Sequence, residues 1–240
     1  MVLLEVRGLS FNYRNKPPVF SDLSFNIRRG EIIALLGPSG VGKTTLLHIL
    51  KGTIPRLYSG KIDGTIELLG KNLQKYKTNA LNQIITMQFQ EPQHQLFAET
   101  VYDEICFGLR NFKLPLTRAD EIMEKLGLTA LKNDIPHNLS AGQKHKVVLA
   151  SILVLDPQIL LLDEPTLHLD YQSKFSLIKL LREIQAAKEL ALVIVDQDPE
   201  IIGELADRIF WLENGQIDER ALEEVIVQKE RFAWKEGLFT

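Results

Sequence analysis

One stretch of eight residues constrains the fold more than any other part of the chain. Gly37 to Thr44 reads Gly-Pro-Ser-Gly-Val-Gly-Lys-Thr, which matches the pattern G-x-x-x-x-G-K-[ST]. A continuous apolar run, Ile32–Leu36, precedes it, and a segment of helical character, Thr44–Lys51, follows it. A strand, a glycine-rich loop and a helix in this order are the opening of an α/β fold built on a buried parallel sheet.

This phosphate loop (Gly37–Thr44) has the chemistry of an anion site. Its glycines let the backbone approach a phosphate closely and aim several N–H groups at it, and the helix that begins near Gly42 adds its positive dipole end. The Lys43 ammonium is suited to β- and γ-phosphates, and the Thr44 hydroxyl is suited to Mg²⁺. An ordinary glycine-rich turn is the alternative, but the flanking strand and helix favour phosphate binding. The predicted binding residues are Gly37, Pro38, Ser39, Gly40, Val41, Gly42, Lys43, Thr44 and Thr45.

Two adjacent acids follow a second apolar run. Ile159–Leu162 leads directly into Asp163 and Glu164, and ligands of open parallel sheets bind at the carboxyl ends of the strands. We predict that Asp163 holds Mg²⁺, directly or through water, and that Glu164 polarises an attacking water as general base. Solvated surface acids are the alternative; the phosphate loop upstream favours the catalytic interpretation.

The apolar pattern divides the remaining chain into an α/β core and a helical block. Helices are predicted from Glu91 to about Pro136, with Thr117 to Asp120 as a capping box and Gly127 as a helix end. Antiparallel hairpin structure is predicted for Gly60–Gly70. We predict one domain over residues 1–240, with a core of about 1–89 and 157–240 and an inserted helical subdomain of about 90–156. Further strands are predicted at Val2–Val6, Leu23–Ile27, Ile84–Phe89, Leu192–Val195 and Ile209–Leu212, and a helix at Tyr171–Glu189.

Composition restricts the partners. The formal net charge is -3, with acids and bases mixed along the chain, so no broad basic field favours nucleic acid. Cys106 is the single cysteine, which excludes an internal disulfide and a cysteine-rich zinc site and predicts a small buried hydrophobe. Neither a secretory signal nor 18 consecutive apolar residues is present. We therefore expect a cytoplasmic location and any membrane role to come through a partner.

A third motif narrows the class of protein. Leu139-Ser-Ala-Gly-Gln143, here called the signature segment, resembles the LSGGQ signature of ATP-binding-cassette (ABC) ATPases, and it precedes the Asp163 strand as in that family. The resemblance covers almost the whole chain. It implies Mg²⁺-dependent ATP hydrolysis by two protomers that sandwich two ATP molecules head to tail. It also implies ATP contacts for Ser140, Gly142, Gln143, Asp170 and Tyr13, the last by stacking on adenine, and γ-phosphate and Mg²⁺ sensing for Gln90.

A further segment resembles one branch of that family. Phe89–Gly108 is similar to the stretch that follows the sensing glutamine in energy-coupling factor ATPases, which drive uptake of vitamins and transition-metal ions. The resemblance implies that the Gln90–Phe97 region, here called the docking segment, receives an integral membrane partner. The chain would then sit peripherally at the cytoplasmic face of the membrane.

The sequence departs from the family pattern after Leu192–Val195. Gln197 occupies the position of the family's switch histidine, which holds the γ-phosphate and helps to fix the attacking water, so the resemblance implies a catalytic role for Gln197 beside Glu164 and Gln90. Glutamine can still donate a hydrogen bond but cannot carry the positive charge of histidine. Ala141 replaces the first signature glycine, and Lys146 stands where arginine is common. These changes predict firm ATP binding, slow hydrolysis at this chain's own site, and a heterodimer with a related ATPase that retains the histidine. A homodimer, a soluble non-transport ABC ATPase and a weakly hydrolysing ATP-binding module are the alternatives.

Overall fold

The computed structural model describes residues 1–167, 169–197, 202–203 and 205–227. Its strands are β1 (Val2–Tyr13), β2 (Pro18–Arg28), β3 (Ile32–Leu36), β4 (Gly60–Leu68), β5 (Lys71–Asn72), β6 (Ile85–Gln88), β7 (Ile159–Asp163), β8 (Ala191–Val195), β9 (Arg208–Glu213) and β10 (Gln216–Arg220). Its α-helices are α1 (Lys43–Leu50), α2 (Thr78–Ile84), α3 (Val101–Phe112), α4 (Thr117–Leu126), α5 (Ala141–Leu153) and α6 (Tyr171–Lys188). A further helical turn covers 222–227.

Two sheets form the α/β core. An antiparallel sheet has the order β2-β1-β4-β5, and a larger sheet has the order β10-β9-β3-β8-β7-β6. In the larger sheet β6, β7, β8, β3 and β9 pair in parallel, and β10 closes the edge against β9 in the antiparallel sense. The strands β3, β7 and β8 are buried throughout, which explains their unbroken apolar runs.

Apolar side chains fill both sides of the larger sheet. On one side the sheet packs with α1 and the antiparallel sheet, through residues such as Ile33, Leu47 and Phe11. On the other side it packs with α3, α4, α5 and α6, through residues such as Leu160 and Val148. The alternation of side chains along each strand sends neighbouring residues to opposite layers. The carboxyl ends of the parallel strands all lie at the same end of the larger sheet.

The predicted fold class is confirmed: an α/β core carries an antiparallel β segment and a block of helices between β6 and β7. Cys106 is fully buried in α3, as expected for a small hydrophobe. The predicted boundaries of the helical subdomain stay a prediction. Among the described residues, no helix combines the length and the apolar character needed to cross a bilayer.

Two local features differ from the sequence expectation. The capping box at Thr117 is wrong: α4 has Leu116 as its N-cap, without a side-chain cap, because Leu116 already has helical dihedral angles. The Asp120 carboxylate instead accepts a hydrogen bond of 2.7 Å from Lys132. The strand β10 was not expected; its mostly exposed polar pattern gives little strand signal, and it is specified by pairing with β9.

Candidate active site

The phosphate loop joins β3 to α1 through backbone that only glycine adopts without strain. Gly37 has φ of 146°, and a Cβ there would lie 2.1 Å from the carbonyl oxygen of Leu212. Gly42, the N-cap of α1, has φ of 105°, and its Cβ would lie 2.6 Å from Cγ1 of Val19. No side chain caps α1. The first-turn N–H groups of this helix are therefore available to an anion.

Lys43 is folded back onto this loop. Its Nζ donates hydrogen bonds of 2.8 Å to the carbonyl oxygens of Gly37 and of Pro38. Burial lowers the pKa of the Lys43 ammonium from its ordinary value, while the charges of Glu164 and Asp163 act in the opposite direction. A bound phosphate would therefore compete with two carbonyl oxygens for the Lys43 ammonium.

The side chains of Thr44 on α1 and Asp163 at the carboxyl end of β7 are in contact. The Thr44 hydroxyl donates to Oδ1 of Asp163 over 3.2 Å, and Asp163 is only 2% exposed. Burial raises the pKa of Asp163 to about 6; the Glu164 charge adds to this rise, whereas the Thr44 hydrogen bond and the Lys43 charge oppose it. A hydroxyl and a carboxylate are hard oxygen donors that suit Mg²⁺, an ion usually held by few protein ligands together with phosphate oxygens and water. These residues fit that ion.

Glu164 lies at the centre of the candidate site. Its backbone has φ of 48°, a left-handed conformation that is costly for a side-chain-bearing residue, and its N–H donates to the Val195 carbonyl over 2.8 Å. The Gln90 amide donates to Oε2 over 2.9 Å, and the Gln197 amide donates to Oε1 over 2.8 Å. Two predicted catalytic residues that are distant in sequence, Gln90 and Gln197, thus bind the carboxylate of the third.

Asp196 is a residue of this site that the sequence analysis did not single out. It is 4% exposed, and its Oδ2 accepts hydrogen bonds from the Thr166 hydroxyl over 2.7 Å and from the Thr166 N–H over 3.4 Å. Its Oδ1 accepts from the Gln197 N–H over 2.8 Å. Asp196 therefore ties the turn after Glu164 to the backbone of Gln197. The sequence signal that could have identified Asp196 is its place as an acid directly after the apolar run of β8. Asp198 and His168 lie outside the described residues.

Tyr13 lies beside the phosphate loop helix. Its hydroxyl is 3.0 Å from the Thr45 hydroxyl, and its ring meets the Phe11 ring edge-on with centroids 4.8 Å apart. Ser39, Gly40 and Val41 occupy the turn between β3 and α1. Tyr13 and Thr45 are thus brought together at the flank of α1, where an aromatic ring could meet a nucleotide base.

The signature segment does not join this cluster within one chain. Ser140 and Gln143 form a reciprocal capping box that opens α5, and Asp170 caps α6 by accepting from the Ser173 N–H over 2.9 Å. Among the hydrogen bonds of the described residues, none links the signature segment to the phosphate loop. Ser140, Gly142, Gln143 and Ser173 instead line a separate groove of about 360 Å³ between α5 and α6.

Two exposed aromatic side chains, Phe97 of the docking segment and Phe107 of α3, lie side by side on the surface. Phe97 is 60% exposed and Phe107 is 46% exposed, and their rings stack edge-on with centroids 4.6 Å apart. Gln95 is turned inward: its Oε1 accepts from the Phe89 N–H over 2.8 Å, and its Nε2 donates to the Met87 carbonyl over 3.3 Å. Gln95 therefore holds the loop closed, and Phe97 of the docking segment forms an exposed surface with Phe107 of α3.

The fold and the site define a P-loop ATPase, with a phosphate loop directly after β3 and two adjacent acids at the carboxyl end of β7. The family model described as ABC transporter matches residues 20–167. The chain belongs to this family and is an ATPase of it.

Individual relatives are similar over most of the chain. The energy-coupling factor transporter ATP-binding protein EcfA2 of Clostridium perfringens is 36% identical over 222 residues, which are 90% of this chain and 76% of the relative. The putative HMP/thiamine import ATP-binding protein YkoD of Bacillus subtilis is 39% identical over 200 residues, which are 81% of this chain. This chain spans 37% of YkoD, and thus little more than a third of the length of some curated relatives.

A solved structure is similar over nearly the full length. CbiO1 of Clostridium perfringens, described as part of the ABC transporter complex CbiONQ, is 33% identical and superimposes with a TM-score of 0.85. The match covers 97% of this chain and 94% of CbiO1. The predicted resemblance to energy-coupling factor ATPases is confirmed by these relatives.

Proposed function

We propose that this chain binds and hydrolyses Mg-ATP to power the uptake of a vitamin or metal ion through membrane partners, as an energy-coupling factor ATPase. The observation that carries the catalytic part is the convergence of Gln90 and Gln197 on the Glu164 carboxylate, next to the Thr44–Asp163 pair. A general base needs this setting: a carboxylate held in place at the edge where the nucleotide phosphates bind.

Each residue has a role that its position supports. The loop N–H groups and Lys43 bind the phosphates, and Thr44, Asp163 and Gln90 hold or sense Mg²⁺. Bound Mg²⁺ supplies charge neutralisation on the phosphate oxygens. Glu164 accepts the proton of the attacking water. Each of its two oxygens accepts one amide hydrogen bond and retains a second lone pair for that water. Tyr13 stacks on adenine.

A second protomer completes the site. The signature segment lies in its own groove, away from the phosphate loop, with its Ser140 hydroxyl and helix N-terminus partly exposed. A partner chain that presents an equivalent segment would supply N–H donors to the γ-phosphate. Asp170, next to that groove, lies at the same interface. We propose a heterodimer, since Gln197 lacks the charge of the family histidine.

The membrane partner binds at the docking segment. Phe97 of this segment and Phe107 of α3 are exposed and meet edge to face, and they form an apolar surface of the kind that marks a protein interface. Because the loop that carries Gln90 is closed by Gln95 beneath this surface, a partner helix seated there would press on the loop that reaches Glu164. In this proposal the chain binds peripherally at the cytoplasmic face of a membrane.

One observation favours a second candidate function, a module that clamps ATP and scarcely hydrolyses it. The Gln197 amide is engaged with the base itself, where the family histidine would carry charge. The intact set of Lys43, Asp163 and Glu164 opposes this candidate. A soluble non-transport role, the third candidate, has no support from the exposed docking surface.

A pull-down of tagged chain from its native membranes tests the transport role. Phe97→Asp should abolish recovery of integral membrane subunits while ATP binding persists, because a charge on the apolar surface carries a desolvation cost in the complex. Phe175→Asp is the matched control, since Phe175 is a similarly exposed aromatic on α6, at 65%. Recovery of the same membrane subunits with Phe97→Asp would contradict docking at this segment, and absence of membrane subunits with the parent chain would favour a soluble role.

A further inference from the structure

The face of β6 that looks toward the helical layer is polar, whereas its neighbours are apolar. Ile85 and Met87 belong to the core on the α1 side of the sheet. Thr86 and Gln88 alternate with them and are directed to the α5 side, with exposures of 5% and 0%. The strand residues that face this layer from β7 and β8 are Leu160, Leu162, Leu192 and Ile194. Two polar side chains are therefore buried at an otherwise apolar strand–helix interface.

Gln88 makes a polar contact across this interface. Its Nε2 lies 3.5 Å from Nδ1 of His145 on α5, and His145 is 7% exposed. Within the described part of the chain, Oε1 of Gln88 and Oγ1 of Thr86 have no hydrogen-bond partner. A buried polar atom without a partner is costly, and an apolar side chain of the same shape avoids that cost. Stability alone therefore does not explain a glutamine at position 88.

The contact joins the two segments that the proposed function needs to act together. Gln88 ends β6, two residues before Gln90, whose amide donates to Glu164. His145 lies in the second turn of α5, the helix that Ser140 caps and the signature segment opens. This pair of side chains therefore connects α5 to the root of the Gln90 loop.

We propose that Gln88 and His145 are positioning residues that couple the Gln90 loop to the signature segment. Polar contacts in a low-dielectric interior depend strongly on distance and orientation. Contacts between apolar side chains at these two positions would depend little on orientation, whereas the amide–imidazole contact is directional and favours one register of α5 on β6. The purpose of this coupling rests on the proposed function, in which both Gln90 and Ser140 act on ATP.

Hydrogen exchange of the full-length chain, resolved by peptide, tests the coupling without turnover. In Gln88→Met, which keeps the side-chain length, amides of 140–146 should exchange about 2- to 10-fold faster, as expected when one neutral hydrogen bond no longer restrains local opening. In His145→Leu, amides of 89–96 should accelerate similarly. Thr86→Val is the matched control: it removes a buried polar atom from the same strand face and should change neither segment.

Two further variants separate coupling from loss of structure. His145→Gln retains a polar partner for Gln88 and should keep the exchange of 89–96 within about twofold of the parent. The Gln88→Met/His145→Leu double variant should show no more than the larger single effect, as expected for residues that share one contact. Effects confined to the substituted element, equal effects in Thr86→Val, or an increase spread over all peptides would overturn the proposal. ATP binding of the parent chain is measured in parallel and tests the proposed function separately. If the parent chain does not bind ATP, the proposed function is wrong, and the exchange result alone decides whether the two segments are coupled.

Discussion

The side-chain amide of Gln197 donates a hydrogen bond of 2.8 Å to Oε1 of Glu164, the carboxylate at the end of β7. The other carboxylate oxygen accepts from Gln90. Both donors are neutral amides, so the base is oriented without being neutralised by a cationic partner at that contact. A histidine at position 197 could bring a positive charge to the same place when protonated. This contact therefore links Gln197, a departure from the family pattern, to the proposed general base.

Substitution of Glu164 by glutamine should slow turnover and preserve ATP binding. Glutamine keeps the shape of the side chain but removes the proton acceptor, and a well-placed general base contributes about 10²–10⁴-fold to the rate. The measurement is ATP hydrolysis by the assembled transporter together with equilibrium ATP binding. Glu99→Gln, at an exposed position, serves as the control. Hydrolysis at the parent rate would show that Glu164 is not the base.

Asp196 should be necessary for the placement of Gln197. Asp196→Asn leaves a buried amide where the carboxylate accepts from Thr166 and from the Gln197 N–H, and its NH₂ group would face one of these donors. We expect a loss of about 1–3 kcal/mol in the free energy of unfolding, the cost of a mispaired buried polar group, and slower hydrolysis. Thr166→Val removes only the hydroxyl donor and should cost less. Denaturant unfolding of the two variants gives the comparison, and equal stability of Asp196→Asn and the parent chain would contradict it.

The pH dependence of stability should carry a contribution from Lys51, the C-cap of α1. Burial, followed by the charge of Arg56, lowers the pKa of Lys51 to about 8 from 10.5. The ammonium is thus disfavoured in the folded state, and the unfolded chain binds more protons between these two values. From this group alone the free energy of unfolding should therefore rise with pH from about 8 to about 10.5, by about 3 kcal/mol in total.

Comparison with Lys51→Met isolates that contribution. The Lys51 ammonium donates to Asn82 over 2.7 Å and to the Ile85 carbonyl, so the variant loses these bonds at every pH. The difference in unfolding free energy between the two proteins should nevertheless change across the window of pH 8 to 10.5, in favour of the parent chain as pH rises. A difference that is constant with pH would show that Lys51 titrates normally.

The parts of the site that the sequence predicted are those whose chemistry is local. The phosphate loop needs glycines within a few residues of Lys43, and the two acids need only a buried strand before Asp163, so spacing along the chain is enough. Gln90 and Gln197 came from resemblance, and their meeting at Glu164 depends on the order of β6, β7 and β8 in the sheet. No sequence pattern specifies that order directly.

What the sequence could not predict depends on contacts between distant elements. The helix start at α4 is set by the dihedral angles of Leu116 and by the ion pair of Asp120 with Lys132, which competes with a capping role for that acid. The contact of Gln88 with His145 needs the register of α5 on β6. From the sequence alone, Gln88 after Met87 looks like an ordinary strand residue, because its burial against α5 is not visible there.

The last prediction concerns asymmetry in the proposed heterodimer. In each composite site one protomer supplies the phosphate loop, base and switch residue, and the other supplies the signature segment. This chain offers an ordered signature, with Ser140 and Gln143 in a capping box, but a neutral switch residue. Charge-assisted hydrogen bonds are worth roughly 1.5–3 kcal/mol and neutral ones about 0.5–1.5, so the exchange costs about 1–2 kcal/mol. If this loss of binding energy applies to the transition state of hydrolysis, the rate of hydrolysis drops about 5- to 30-fold. The partner's site, completed by this chain's signature, should then perform most turnover.

Two variants in the assembled complex distinguish the sites. Ser140→Arg places a bulky cation at the start of α5 and should abolish most hydrolysis, because it blocks the partner's site. Gln197→His should raise the rate or leave it nearly unchanged, because this chain's own site contributes little. Both rates are measured with the same reconstituted transporter, and subunit composition is determined by mass. A fully active homodimer in which Gln197→Ala loses all activity would contradict the asymmetry: in that case the amide bonded to Glu164 is itself a working switch, and one kind of ATPase chain supplies both sites.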